Sequence, residues 1–354
     1  MYALDAIKVI DLKVFLDTGV AEETCKDVVD SLRQYGILLV KDPRVSEDLN
    51  DFFVDQMEKY FEQSEEEKKS DIHPEVFYQV GATPGFTEKA RDHCNLAASF
   101  DDKNRPLSIC PPDPDAKWRF FWRIGSRPDP ETTKFPGLNA DDVIPGSGKF
   151  PQWKETMDSW GNAILNTVQT VAEMTAVGLG LPKDTLRKMM EHGPHLLAPT
   201  GSDLEFFGSS GTVFANFHYD LNFLTIHGRS RFPGLFIWLR DGTKSIVKVP
   251  KGCLLIQAAK QLEWLTGGEI RAGFHEVIVC PETLSAIDKA KAEGKSLWRV
   301  SSTLFAHIAS DQILAPLEMF KFTPDASKYP AIPAGEQVMK ELEAIKLGGG
   351  VPAM

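Results

Sequence analysis

The chain has 354 residues, 42% of them hydrophobic, and a formal net charge of −11. That length supports one large domain or two modest ones with a sizeable core. The acidic balance argues against nucleic acid or an anionic membrane as the main partner, since both reward a basic patch, and leaves a small molecule. No stretch approaches the roughly eighteen apolar residues of a membrane span, and the start MYALDAIKVIDLK lacks the basic end and apolar run of a secretory leader. A cytoplasmic location is therefore expected. The five cysteines, Cys25, Cys94, Cys110, Cys253 and Cys280, are scattered and never form CxxC. They are expected to be reduced and mostly buried.

In chain order, Ile7 to Leu12 alternates as a short strand, and Glu22 to Gln34 sets Cys25, Val28, Val29 and Leu32 at helical spacing before Gly36. Gly36 to Lys41 reads as a buried strand. A second helix is predicted from Glu47 to about Lys69, with Leu49, Phe52, Phe53, Met57, Tyr60 and Phe61 on its buried face. From Asp71 to Pro151, proline, glycine and aspartate predominate, so long loops with a few short strands are expected, suited to a substrate lid. The most regular helix is Gln152 to Leu181, where Met157, Trp160, Ile164, Val168, Val171 and Met174 keep a 3.6-residue period. After Leu204 the pattern changes to short β runs: Gly211–Phe217, Leu221–His227, Gly234–Leu239, Ser245–Val249, Cys253–Gln257, Ala272–Val279 and Leu297–Ile308. Such a series predicts an antiparallel barrel or jelly roll. A tail helix is expected from Glu336 to Leu347, followed by a glycine-rich end.

Chemistry concentrates in three of these runs. Asn216-Phe-His218-Tyr-Asp220 closes a β run, and period-two alternation puts His218 and Asp220 on one face. His275, in a later run, supplies a third donor. Two imidazoles and one carboxylate on one side of a metal leave the opposite positions open, as iron(II) needs if it is to bind an oxo-acid and dioxygen. Arg299 and Ser301 also share a strand face, so a guanidinium and a hydroxyl can hold one carboxylate together. The competing reading of Arg299 is an internal salt bridge to an acidic residue.

Taken in order, these motifs resemble the isopenicillin N synthase-like branch of the 2-oxoglutarate and iron(II)-dependent dioxygenases. The likeness spans nearly the whole chain, from Ile7-Lys-Val-Ile-Asp-Leu, Tyr35-Gly-Ile-Leu-Leu-Val and Tyr60-Phe-Glu-Gln-Ser-Glu-Glu-Glu-Lys68 to His218-Tyr-Asp220, Pro233-Gly-Leu-Phe-Ile, Val249-Pro-x-Gly252, His275 and Arg299-x-Ser301. It implies a mixed α/β (α+β) fold, with a double-stranded β-helix (jelly roll) core and supporting N-terminal and long central helices. It also implies an enzyme that uses iron(II), 2-oxoglutarate and dioxygen to hydroxylate, desaturate or cyclise a small metabolite, releasing succinate and CO2. His218, Asp220 and His275 would hold the metal, and Arg299 and Ser301 the co-substrate's distal carboxylate. Residues 1–125 are expected to form an N-terminal region, 126–316 the iron and 2-oxoglutarate core, and 317–354 a C-terminal tail.

The chain departs from the family pattern in places. Where members carry Asn-x-Tyr-Pro, this chain reads Leu196-Leu-Ala-Pro199, so Asn216, expected to face the same way as His218, is a candidate second clamp. Glu276 follows the distal histidine, and the 23 residues between His275 and Arg299 leave room for an inserted helix over Glu282–Gly294. His227, expected to face away from His218, and His307 read as structural, as do His73, His93, His192 and His195. The aromatic cluster Trp118–Trp122 reads as core. Three alternatives stay open: a four-electron iron oxidase needing no oxo-acid, a zinc hydrolase, and a non-catalytic metal-binding or ligand-binding sensor.

Overall fold

The computed structural model describes residues 7–347. The glycine-rich end therefore lies outside the described residues. Val9–Asp11 (β1) leads through Lys13–Thr18 (α1) and Glu22–Tyr35 (α2) to Ile37–Lys41 (β2). Glu47–Phe61 (α3) follows, opened by Ser46, whose side chain accepts a hydrogen bond from the Leu49 amide. The predicted single helix stops there, because Ser64 and Glu67 form a capping box that starts the separate Glu65–Lys68 (α4). Gly81–Thr83 (β3), Cys94–Ser99 (α5) and Trp118–Ile124 (β4) punctuate the loop-rich stretch.

Trp153–Gly178 (α6) is the long central helix, and the six residues that set its period are all fully buried. Thr185–Met190 (α7), His195–Asp203 (β5), Leu204–Phe207 (α8), Val213–Tyr219 (β6), Leu224–His227 (β7), Leu235–Trp238 (β8), Lys244–Ile246 (β9), Leu254–Ala258 (β10) and Lys260–Leu265 (α9) come next. The chain then runs through Phe274–Ile278 (β11), Pro281–Ala292 (α10), Trp298–Ala306 (β12) and Ala334–Ala344 (α11). The expected inserted helix is α10.

Two sheets face each other. The larger has the order β1-β2-β10-β7-β12-β5-β4-β3 and the smaller β6-β11-β8-β9. Within them every pairing is antiparallel except β1 with β2. This is the expected mixed fold with a jelly-roll core. Alternation divides β12: Val300, Leu304 and Ala306 pack outward with the main hydrophobic core against α3 and α6, while Arg299, Ser301, Thr303 and Phe305 line the space between the sheets. The Trp118–Trp122 cluster is a strand as well as core. Trp118, Phe120 and Trp122 join the helices on the outer face, and Arg119 and Phe121 turn inward. Cys94 and Cys110 are disulfide-bonded, correcting the reduced reading for that pair. Sixteen residues apart, they are brought together by the loop that follows α5. The other three cysteines are free and buried.

Candidate active site

The sheets enclose a cavity of about 140 Å³. His218 and His275 are directly paired across β6 and β11 and line it from the small sheet. Asp220 lies just past the end of β6. Its Oδ1 is 3.8 Å from Nε2 of each histidine, and one ligand atom from each of the three residues lies within 4.8 Å of the others. The remaining polar atoms of the trio are engaged elsewhere. His218 Nδ1 is 2.5 Å from the Asn216 carbonyl, and Asp220 Oδ2 accepts from the Thr225 hydroxyl at 2.7 Å. Two ring nitrogens and one carboxylate oxygen are thus aimed at one point, with their outer atoms held, which is the preparation a metal site requires. Burial, followed by the neighbouring His275, holds the His218 imidazole down to about 3, so it is neutral and able to ligate at pH 7.

Opposite, on β12, Arg299 is 5% exposed, and its Nε finds no hydrogen-bond partner. No acidic side chain balances it. Burial lowers the guanidinium to about 10, opposed only by the Cys280 thiol. The internal salt bridge considered for this residue is absent among the described residues. A buried guanidinium without a counterion, in the same cavity as two imidazoles and a carboxylate, fits an anionic ligand bound beside a metal. Ser301 is two residues along the same face. On the adjacent β5, Thr200 pairs with Ser301 and Ser202 with Arg299, and both hydroxyl residues line the cavity. Leu196 lines it too, so this strand offers hydroxyls where the family carries its Asn-x-Tyr.

Asn216 does not take the expected clamp position. Its Nδ2 donates to the Asp113 carbonyl at 2.9 Å and to Asp115 Oδ1 at 2.7 Å, and it is not among the cavity-lining residues. The cause is a β-bulge. His275 pairs with His218 but Val277 pairs with Ala215, so three residue steps on β6 match two on β11 and the alternation reverses between them. His227 departs in the other direction. The chain leaves the small sheet after Tyr219 and enters the large one at Leu224, so His227 faces the same cavity from the opposite wall.

The sequence reading also missed a buried ionic cluster. Lys117 contacts Asp115 and stands 3.5 Å from Glu88, and Arg119 Nη1 is 2.7 Å from Glu88. Burial alone would raise the Glu88 carboxyl, and the Arg119 and Lys117 cations bring it down to about 2. Glu341 of α11 pairs with Arg91 at 2.9 Å and accepts from the Tyr219 hydroxyl, fastening the C-terminal helix against the cavity.

Comparison with known proteins agrees with this geometry. Residues 7–139 match the family model for the N-terminal region of non-haem dioxygenases, described for morphine synthesis. Kihadalactone A synthase of Citrus sinensis is 23% identical over 361 residues, covering 98% of this chain and 93% of its own length. Both matches are consistent with the 2-oxoglutarate and iron(II)-dependent dioxygenase family. Solved structures share the fold. A 2OG-Fe(II) oxygenase family protein from Caulobacter crescentus superposes with a TM-score of 0.74 at 24% identity, over 96% of this chain and 99% of that one. A full-length Neurospora crassa protein, solved in complex with alpha-KG, gives 0.72 at 18% identity, over 95% and 96%. Among the described residues, no helix is long and apolar enough to cross a membrane.

Proposed function

We propose that the protein is a 2-oxoglutarate-dependent dioxygenase in which His218, Asp220 and His275 hold iron(II) and Arg299 with Ser301 holds the distal carboxylate of the oxo-acid. The observation that carries this reading is the uncompensated Arg299 guanidinium, buried in the cavity where the three ligand atoms converge. The alpha-KG bound to the Neurospora relative supports the choice of co-substrate. Bound iron(II) supplies the redox chemistry that couples decarboxylation of the oxo-acid to oxidation of a substrate C–H by dioxygen. The chain's own part is to bind, orient and keep the site dry.

The substrate is an uncharged small molecule that is hydroxylated, desaturated or cyclised. Apart from Arg299, the cavity's cations already have carboxylate partners: Arg91 with Glu341, Lys117 with Asp115 and Glu88, Arg119 with Glu88. A charged substrate would have to break a pair in a largely desolvated site. Phe121, Leu196, Phe214, Phe305 and Leu342 supply apolar wall.

The test is anaerobic addition of iron(II) and 2-oxoglutarate. A weak visible charge-transfer band is expected in the wild type and lost in His218→Ala and in Arg299→Ala. Succinate formed in step with oxygen uptake separates this reading from an oxidase that needs no oxo-acid. A wild type that shows neither a band nor co-substrate affinity ends it.

A further inference from the structure

A chain of polar side chains links the two halves of the site. Ser301 Oγ is 2.8 Å from Thr303 Oγ1, which is 3.0 Å from His227 Nδ1. His227 Nε2 is 3.1 Å from Gln257 Oε1, and Gln257 Nε2 is 3.5 Å from His275 Nδ1. Thr303, His227, Gln257 and His275 are buried, so their polar atoms need partners inside the protein. Burial holds the His227 imidazole down to about 4, so at pH 7 it is neutral, with one nitrogen donating and the other accepting. A row of groups of this kind has two directions, and its ends decide which one holds.

In the arrangement observed, His275 Nδ1 lies 3.5 Å from both the Gln257 amide nitrogen and the Gly273 carbonyl, and with the amide group facing it the ring nitrogen accepts. His227 Nε2 then donates to Gln257 Oε1, Nδ1 accepts from Thr303, and Thr303 accepts from Ser301. The Ser301 proton is committed inside the protein, and only lone pairs face the cavity. When His275 Nε2 gives its lone pair to a metal, the single ring proton must reside on Nδ1, which becomes a donor. The Gly273 carbonyl lies within reach of that proton, but the Gln257 amide group would oppose it, so Gln257 turns over and donates to His227 Nε2, His227 carries its proton on Nδ1, and Thr303 donates to Ser301. The Ser301 hydroxyl is released to donate into the cavity. Each group keeps its number of protons, and only the direction changes.

We propose that His227, Gln257 and Thr303 are positioning residues forming a hydrogen-bond relay, through which metal ligation by His275 makes the Ser301 hydroxyl available to the co-substrate carboxylate. The inference rests on the metal and carboxylate assignments proposed above. It gives the site an order of assembly, metal before oxo-acid, that does not depend on direct chelation.

Nitrogen-15 NMR of histidine-labelled wild-type protein tests the relay with zinc(II) as a diamagnetic ion. His227 should be the Nε2–H tautomer without metal and the Nδ1–H tautomer with zinc. Calorimetry with glutarate, which has the carboxylate but no 2-oxo group to chelate, supplies the second readout. Zinc should tighten glutarate binding in the wild type, and in Thr303→Val that gain should shrink roughly tenfold, the worth of one hydrogen bond to a charged group. An unchanged His227 tautomer, or a Thr303→Val protein with the wild-type zinc gain, overturns the relay while leaving the site assignment intact. Failure of the wild type to bind zinc, or glutarate binding unaffected by Arg299→Met, overturns the assignment itself.

Discussion

Arg299→Met should make the metal-free protein more stable while removing its affinity for 2-oxoglutarate. The guanidinium is 5% exposed, its Nε has no partner, and its proton is held only to about pH 10 against an ordinary value of 12.5. Both folded and unfolded chains carry the charge at pH 7, so the whole difference counts against the folded state. At about 1.4 kcal/mol per pH unit, this amounts to about 3 kcal/mol. Methionine has a similar unbranched length and no charge to desolvate, so replacement should recover a substantial part of that cost. Urea denaturation of metal-free protein at pH 7 is the assay, with a gain of about 1–3 kcal/mol expected. Adding iron(II) and 2-oxoglutarate under anaerobic conditions should reverse the ranking. At a hundred times its Kd, the co-substrate stabilises the wild type by about 2.7 kcal/mol and leaves the variant unchanged. A variant that is less stable than the metal-free wild type by more than about 1 kcal/mol would show that Arg299 has a structural counterion, and the anion-site reasoning would fail.

Three other outcomes follow from the same structure. Thr225→Val removes the hydroxyl that holds Asp220 Oδ2 and should weaken zinc or iron(II) binding roughly tenfold in a metal titration, with thermal stability of the metal-free protein little changed. His195, His227 and His307 are buried, with folded-state values well below 6.5, about 4 and about 3. Between pH 6.5 and about 4 these three side chains bind protons in the unfolded chain that they refuse in the folded one. Stability of the metal-free protein should therefore fall as pH falls, with these three alone contributing up to about 4 kcal/mol per pH unit, and denaturation curves at about pH 7.5 and about pH 5.5 will show it. Gly178→Ala would place a Cβ 2.3 Å from the Cys25 carbonyl where α6 crosses α2. It should cost about 2 kcal/mol or more in the same assay, because neither backbone can yield.

Which parts of this site could be read from the sequence depended on where one local period governs both a strand and its facing. Arg299 and Ser301 lie in a regular strand, and alternation placed them correctly. His218 lies on the cavity face because the bulge in β6 falls before it, between Ala215 and His218, and Asp220 joins it from just past the strand's end. The same bulge put Asn216 on the wrong face, and an extra residue in a ladder leaves no mark in the pattern of apolar and polar residues. β4 and β5 were harder to see for another reason. Both faces of each are buried, one against helices and one against the cavity, so Trp118 to Ile124 runs without polar alternation and β5 mixes leucine, proline and glycine.

His227 exposes a further limit, since its facing depends on topology. Counting nine residues from His218 predicts opposite faces only if one strand contains both. Here Asp220 to Phe223 carries the chain from one sheet to the other, and a residue facing away along the strand comes to face His218 across the cavity. The crossover also accounts for the chemistry. Asp220 must leave β6 to meet both histidines, and the segment that lets it do so delivers Thr225 to its second oxygen and, two residues on, His227 to Gln257. One stretch of ten residues, His218 to His227, therefore contributes two of the three groups proposed to hold the metal, the hydroxyl that orients the carboxylate, and the imidazole in contact with both Thr303 and Gln257. A substitution anywhere in it should be read first as a change to the proposed metal site and only then as a change to the fold.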